Sequence, residues 1–284
     1  MFFSGIADEA GADLDIQLKA HRELGWNYIE LRNIGKERLP GLSPQEFENL
    51  VQKLENSNMK VSCYASKIGD WSRKISTDFK SDMEEFTKAV PRLKQLGIPF
   101  VRVMSWTNDG WDDKEWKKEA CRRLKELCYI AEGNGITLVH ENCAGWGGQS
   151  VEKTLEMFVT VNSVALKLLF DTGNPPGANQ DCWDYYQRTK EHVVYVHLKD
   201  ALRYHKKGTR PYTFPAEGDG CVRSILADLI QSGYEGGVSI EPHLSSIIHE
   251  NKNLSPDDQK YQTYIEYGRR LMKVASEMTR IVKG

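Results

Sequence analysis

The sequence predicts one (β/α)8 barrel spanning residues 1–284. Three observations predict it. Short apolar runs of about five residues, the pattern of buried parallel strands, recur eight times. A longer charged segment with apolar residues at helical spacing follows each of them. The length of 284 residues then gives each unit about 35 residues, which suits a closed barrel. An open doubly wound sheet is the competing arrangement, but no GxGxxG opens the first helix.

The first strand covers residues 2–7 and the first helix 13–24, with Gly25 as its stop. Strand two is 28–31. Helix two opens at Ser43-Pro44, an N-cap followed by proline at the first helical position. Strand three is 60–65 and helix three 78–96. Gly97-Ile98-Pro99 leads into strand four, 100–105, and helix four covers 113–132, ended by Gly133-Asn134-Gly135. Strand five is 136–141, helix five 150–161, strand six 166–171, and a shorter helix six lies near 183–191. Strand seven is 193–198, helix seven 222–231, strand eight 237–241, and a long last helix runs over 258–281.

The bulk properties exclude several function classes. A formal net charge of -2 offers no global basic field for nucleic acid or an anionic membrane. The six cysteines (63, 121, 128, 143, 182 and 221) form no CxxC pair and suit neither a zinc knot nor a disulfide scaffold. Free thiols in a reducing cytoplasm are the simplest expectation. The opening MFFSGIADEAG has no basic region and no long apolar stretch, so neither a signal peptide nor a membrane span is expected.

In this barrel the chemistry sits at the C-terminal strand ends. Strand five reads ITLVHE and ends in Glu141; strand six reads LKLLFD and ends in Asp171. Strand seven, VVYVH, reaches His197, and strand eight, GVSIE, ends in Glu241. With 40 acidic residues and 7 histidines in 284, four such ends in a row arise by chance in about one chain in a thousand. Three carboxylates and an imidazole at one barrel mouth would repel or strand each other without a cation. One divalent metal ion resolves the conflict. Three oxygen donors and one nitrogen make a fairly hard site, which favours Mn2+, Mg2+ or Co2+, with Zn2+ as an alternative. Cys143 is not needed as a ligand and reads as a small buried side chain.

The segments HEN (140–142), FDTGN (170–174), VHLKD (196–200) and IEPH (240–243) resemble the xylose isomerase-like TIM barrel superfamily. Within it they are similar to the sugar isomerase/epimerase branch, which includes ketose 3-epimerases, hydroxypyruvate isomerase and inosose dehydratase. The resemblance covers all eight units. It implies that Glu141 and Glu241 bind the metal and also exchange protons with a small carbohydrate substrate, a keto-sugar or polyol-derived ketone. The chemistry it implies is polarisation of a carbonyl by the ion, removal of the adjacent proton by one carboxylate, and a metal-bound enediolate. Reprotonation gives an epimer or isomer, and a sugar isomerase or epimerase is the first expectation; loss of a β-hydroxyl or β-alkoxyl group gives a dehydratase or lyase, the alternative. The family often forms dimers or tetramers, which makes a homo-oligomer an expectation.

The chain departs from the epimerase pattern. Asn174 stands where those enzymes carry His, and the loop Asn-Cys-Ala-Gly-Trp-Gly-Gly lacks their second Glu. Arg203, six residues after His197, matches a substrate-binding arginine of those epimerases, against a solvated loop arginine as the plain alternative. Endonuclease IV shares the Glu–Asp–His–Glu core, but its further histidines and its Asp-x-His are absent here, and no basic excess meets DNA phosphates. A catalytically silent sugar-binding barrel is the remaining reading; it has no need of two proton-transfer carboxylates.

Other residues are expected around the pocket. Lys199 shares the facing of His197 and suits an oxyanion, or else balances Asp200 and Asp171. Glu30 binds a substrate hydroxyl or, the slightly favoured reading, pairs with Arg32 or a barrel lysine. Tyr64, Ser66 and Trp106, with Trp111 and Trp146, are candidates for an aromatic wall against sugar C–H faces. His140 faces the helices as a satisfied core histidine. His243, two residues beyond Glu241, points into the mouth or caps a loop. Glu217, in the Glu217-Gly218-Asp219-Gly220 loop, resembles the family's glycine-rich segment over the pocket.

Overall fold

Capping chemistry starts and stops the helices close to where the sequence places them. The computed structural model describes residues 1–204, 211–244 and 255–284. Helix α1 (Leu14–Glu23) starts where the Asp13 carboxylate accepts from Asp15 N. In α2 (Pro44–Asn56) Ser43 and Glu46 cap each other reciprocally. Helix α3 is Lys80–Gln95 and α4 is Asp113–Asn134; Gly135, left-handed at φ 66°, ends α4. Then come α5 (Val151–Val161), α6 (Cys182–Thr189), α7 (Val222–Gln231) and the long α8 (Pro256–Lys283). No described helix is long and apolar enough to cross a membrane.

Eight parallel strands alternate with these helices: β1 (Phe2–Gly5), β2 (Tyr28–Leu31), β3 (Lys60–Ala65), β4 (Phe100–Ser105), β5 (Thr137–Gly145), β6 (Leu166–Asp171), β7 (Val193–Leu198) and β8 (Gly237–Ile240). Their order is β1-β8-β7-β6-β5-β4-β3-β2. A single parallel bridge between Ile6 and Glu30 joins β1 to β2 and closes the ring. The expected (β/α)8 barrel is therefore the observed fold.

Three local features were not expected. β5 runs four residues beyond Glu141, because a register shift after Val103 brings Ser105 opposite Gly145. Gly145 has φ 88°, and a Cβ there would lie 2.3 Å from the Ser105 carbonyl carbon. Asp200–Ala201 pairs with Tyr212–Thr213 in a short antiparallel ribbon, too brief to leave a periodic signal. In β3, Ile29 pairs with Val61 and Glu30 with Cys63, so Ser62 is an extra residue that resets the inside-outside alternation.

The helices bury two large apolar clusters against the outside of the barrel. Inside, Cys63, Val139, Leu169 and Tyr195 pack together. Ser62 Oγ lies 2.8 Å from Ser4 Oγ and 2.7 Å from the Tyr195 hydroxyl. This plug is the floor on which the strand-end residues stand.

Two buried histidines tie outer elements together. His21 contacts the Tyr28 carbonyl at 2.7 Å and the Tyr264 hydroxyl at 2.8 Å, linking α1 to β2 and α8. His140, on the outer face of β5, meets Ser105 Oγ at 3.0 Å, the helix-facing core position expected of it. Burial pushes each imidazole down to about 4. Their folded values lie below the unfolded 6.5, so the stability they hold is present above pH 6.5 and lost as pH falls towards 4. In urea unfolding, the wild type is expected to lose about 2 kcal/mol more than His21→Asn between pH 7 and pH 5. Parallel pH profiles for the two proteins would show that His21 is not held neutral.

Candidate metal centre and active site

Side chains two apart on a strand share a face. Glu141 follows the interior Val139, Asp171 follows Leu169, and His197 follows Tyr195, so all three turn inward at the upper strand ends. Asp171 lies level with His197, which in turn lies level with Ser239, two residues before Glu241. The four side chains are between 0% and 3% exposed. One ligand atom from each of Glu141, Asp171, His197 and Glu241 lies within 4.8 Å of the others. His197 Nδ1 is 3.9 Å from Glu141 Oε1 and 3.8 Å from Glu241 Oε2.

Neighbouring residues fix how these groups point. His197 Nε2 donates to Glu30, 3.0 and 3.1 Å from its two oxygens, and Ser239 Oγ donates to Glu30 Oε2 at 2.6 Å. With Nε2 committed to Glu30, Nδ1 faces the two glutamates and would give up its proton to present a lone pair to an ion; a carboxylate behind a histidine is the usual way to orient a metal-binding imidazole. Asn174 Nδ2 donates to Glu141 Oε1 at 3.0 Å. Arg102 stands 3.3 Å from Glu141, and Arg32 3.2 Å from Glu241. The Lys199 ammonium lies 3.0 Å from Asp171 Oδ2 and 2.9 Å from Glu241 Oε2.

His197 Nδ1 is buried and makes no hydrogen bond, and Glu141 Oε2 and Asp171 Oδ2 have only their ion pairs with Arg102 and Lys199. Unsatisfied atoms of this kind are costly unless something else ligates them. The donor set and its convergence fit a divalent cation. The electrostatics agree. Burial raises the Glu141 carboxyl, but Arg102 and the His197 bond outweigh it and hold it at about 2. Burial likewise opposes ionisation of Glu241, yet Lys199, His243 and His197 keep it well below the ordinary range. Asp171 goes the other way: burial, Glu141 and Glu241 raise it despite Lys199. Burial lowers the His197 imidazole, but Glu30 and Glu141 push it up to about 10.

A cavity of about 540 Å3 opens above it, lined by Glu141, Glu241, Lys199, His243, Arg32 and Arg102 among others. A neighbouring lobe of about 850 Å3 includes Asn174 and Tyr212, and Cys143 lines both. Cys143 is thus half-buried at the junction, not a core side chain.

Of the residues expected to bind substrate, the fold brings Asn174, Lys199 and His243 to the mouth. His243 Nδ1 lies 2.7 Å from Glu9 Oε1, and its Nε2 lies 3.7 Å from Glu241. Four others are placed elsewhere. Trp106 is fully buried with its indole N–H on Asp82; its φ of 51° turns it out of strand alternation towards α3. Tyr64 faces outward beyond the Ser62 bulge, its hydroxyl 3.4 Å from Glu85. Arg203 bonds the Asn179 carbonyl and sits 3.8 Å from Asp181. Glu217 pairs with Arg270 on the outer surface. The aromatic wall is also different: Trp146 is buried against Asp113 and Trp111 borders an outer groove. Trp71 and Tyr212 line the mouth instead.

The sequence alone does not single out Arg102 or Glu9, and it offers Arg32 only as a partner for Glu30. A signal existed for Arg102, since an arginine inside the apolar run FVRVMS has a reason to be there. Glu30 was weighed as a partner of Arg32 or a lysine; it pairs with His197 and Ser239 instead.

Comparison with known proteins places these features in context. Residues 18–271 match the family described as xylose isomerase-like TIM barrel. A protein named inosose dehydratase from Mesomycoplasma hyopneumoniae is 23% identical over 263 residues, covering 82% of this chain and 83% of that one. Among solved structures, a D-tagatose 3-epimerase-like protein superposes with a TM-score of 0.75 at 20% identity, covering 100% of this chain and 98% of that one. The IolI protein with a bound zinc atom superposes with a TM-score of 0.74 at 19% identity, covering 98% of each chain.

Proposed function

The chain belongs to the xylose isomerase-like TIM barrel family, and from that premise we propose that it is a divalent-metal-dependent enzyme that removes a proton beside the carbonyl of a small polyhydroxylated ketone. The observation that carries this reading is the pair of buried carboxylates, Glu141 and Glu241, which approach one unpaired imidazole nitrogen on the floor of a cavity. Glu141, Asp171, His197 and Glu241 would hold the ion. Their three oxygen donors and single nitrogen suit Mn2+ first, and the zinc in the IolI structure makes Zn2+ the alternative. The bound ion would polarise the ketone and make its neighbouring C–H more acidic.

The protein's own groups then move the proton. Glu241 is ionised, because Lys199 and Arg32 favour its charged form, and so is competent to accept a proton. Glu141 is ionised likewise through Arg102, with Asn174 fixing one of its oxygens. Lys199, 2.9 Å from Glu241, is placed to share a proton with a departing hydroxyl. Loss of a β-hydroxyl is the outcome we favour: the inosose dehydratase relative supports it, and Asn174 replaces the histidine of the epimerase pattern. A second reading, epimerisation, is supported by the two carboxylates themselves, since one removes and the other returns a proton.

The test is solvent deuterium incorporation, followed by NMR and mass spectrometry, over ketoses, 3-keto glycosides, inososes and carboxylate- or phosphate-bearing ketones of similar size, with added Mn2+. Metal-dependent loss of water from one of these ketones is the expected result. Deuterium in a recovered epimer would move the assignment to an epimerase. Absence of metal-dependent exchange with every compound would overturn the enolisation reading.

A further inference from the structure

We propose that Arg38 and Lys67, at the rim of the metal-centre cavity, form a subsite for an oxyanion, so that the ketone processed here carries a carboxylate or phosphate group. The inference deepens the reading above and rests on it for the word ketone, not for the subsite. Five arginine and lysine side chains line this cavity (Arg32, Arg38, Lys67, Arg102 and Lys199) against three carboxylates (Asp70, Glu141 and Glu241).

The three deep cations are matched. Arg32 lies 2.9 Å from Asp8, 3.3 Å from Glu9 and 3.2 Å from Glu241. Arg102 faces Glu141, and Lys199 faces Asp171 and Glu241. The two rim cations are not. Among the described residues, no carboxylate oxygen lies within 4.0 Å of the charged nitrogens of Arg38 or Lys67.

The nearby acids are committed elsewhere. Glu85 pairs with Arg73 and accepts from the Tyr64 hydroxyl and Lys67 N. Asp70 accepts from the backbone and hydroxyl of Ser72. Arg38 is nonetheless held in place, since its NH1 donates to the Ala65 carbonyl at 3.0 Å. The Tyr64 hydroxyl also faces the guanidinium, and the remaining N–H groups of the oriented fork are left for a planar anion. The pKa of Arg38 is pushed down, by burial first and also by Arg102 and Arg32, despite Tyr64 and Glu85. An uncompensated, partly buried cation in a cavity wall calls for an anion from outside. Trp71, 71% exposed, lines the same cavity and offers an apolar face to a carbon skeleton.

The experiment compares three six-carbon ketones on the Mn2+-loaded protein by isothermal titration calorimetry: neutral D-fructose, 5-keto-D-gluconate and D-fructose 6-phosphate. At least one anion is expected to bind about tenfold or more tightly than D-fructose, with the stronger of the two identifying carboxylate or phosphate. In the double variant Arg38→Gln/Lys67→Gln that ratio should fall towards one. Arg38→Lys with native Lys67 should retain most of it. Circular dichroism and Mn2+ electron paramagnetic resonance report that each variant is folded with its metal centre formed. The proposal is overturned if neither anion outbinds D-fructose, or if the preference survives the double substitution. Anion-selective binding without deuterium exchange would leave the subsite standing and count against the enolisation reading alone.

Discussion

Replacing Glu241 with glutamine is expected to lower turnover by about a thousandfold while the protein stays folded and still takes up Mn2+. The fold survives because the partners of Glu241 have others: Lys199 keeps Asp171, and Arg32 keeps Asp8 and Glu9. Metal uptake weakens only in part, because Glu141, Asp171 and His197 remain. What the amide cannot do is accept a proton from carbon. Exchange rates at saturating Mn2+, with metal content followed by electron paramagnetic resonance, check both halves. Turnover that persists in Glu241→Gln would remove this residue as the base.

Lys199→Met should lower stability in the absence of metal and enlarge the gain in stability on adding it. The ammonium now neutralises Asp171 and Glu241, both almost wholly buried. Methionine fills a similar length but leaves the two carboxylates facing each other uncompensated. Breaking a buried ion cluster from one side costs about 3 kcal/mol or more. In EDTA the melting temperature should drop by roughly 5 to 8 °C for a chain of 284 residues. Adding Mn2+ should then raise Tm more in the variant than in the wild type, because the ion no longer competes with an ammonium and its binding is linked to folding. A variant as stable as the wild type in EDTA, or one with a smaller Mn2+ response, would show that Lys199 does not neutralise the quartet.

The barrel and the quartet were legible in the sequence because both rest on periodicities that parallel strands keep. Strands five to eight each end one apolar run in a charged or imidazole side chain, and alternation brings those residues to one side. The reading failed where alternation breaks or never applied. The extra residue at Ser62 reverses the facing of Tyr64, and the positive φ of Trp106 does the same beyond strand four. Arg203 follows a short ribbon whose pairing leaves no pattern in the residues. Trp71, Arg38 and Lys67 come from long connections after β2 and β3, where no period predicts direction. Arg102 and Glu30 were visible as charges in apolar runs, but their partners lie on strands far away in sequence. Only the closed ring shows which charges meet.

The bridge between Ile6 and Glu30 has a mechanical consequence. It is the one backbone link by which the first and second strands complete the ring, and its second member is the residue that orients the imidazole of His197. Parting these strands would carry Glu30 away from His197, so the barrel cannot breathe at this seam without loosening the grip on a cation. Conversely, an ion held by the quartet would favour the closed form, in which Glu30 orients His197, and make opening more costly. The ring thus has a clasp, and occupancy of the centre and continuity of the barrel wall are thermodynamically linked.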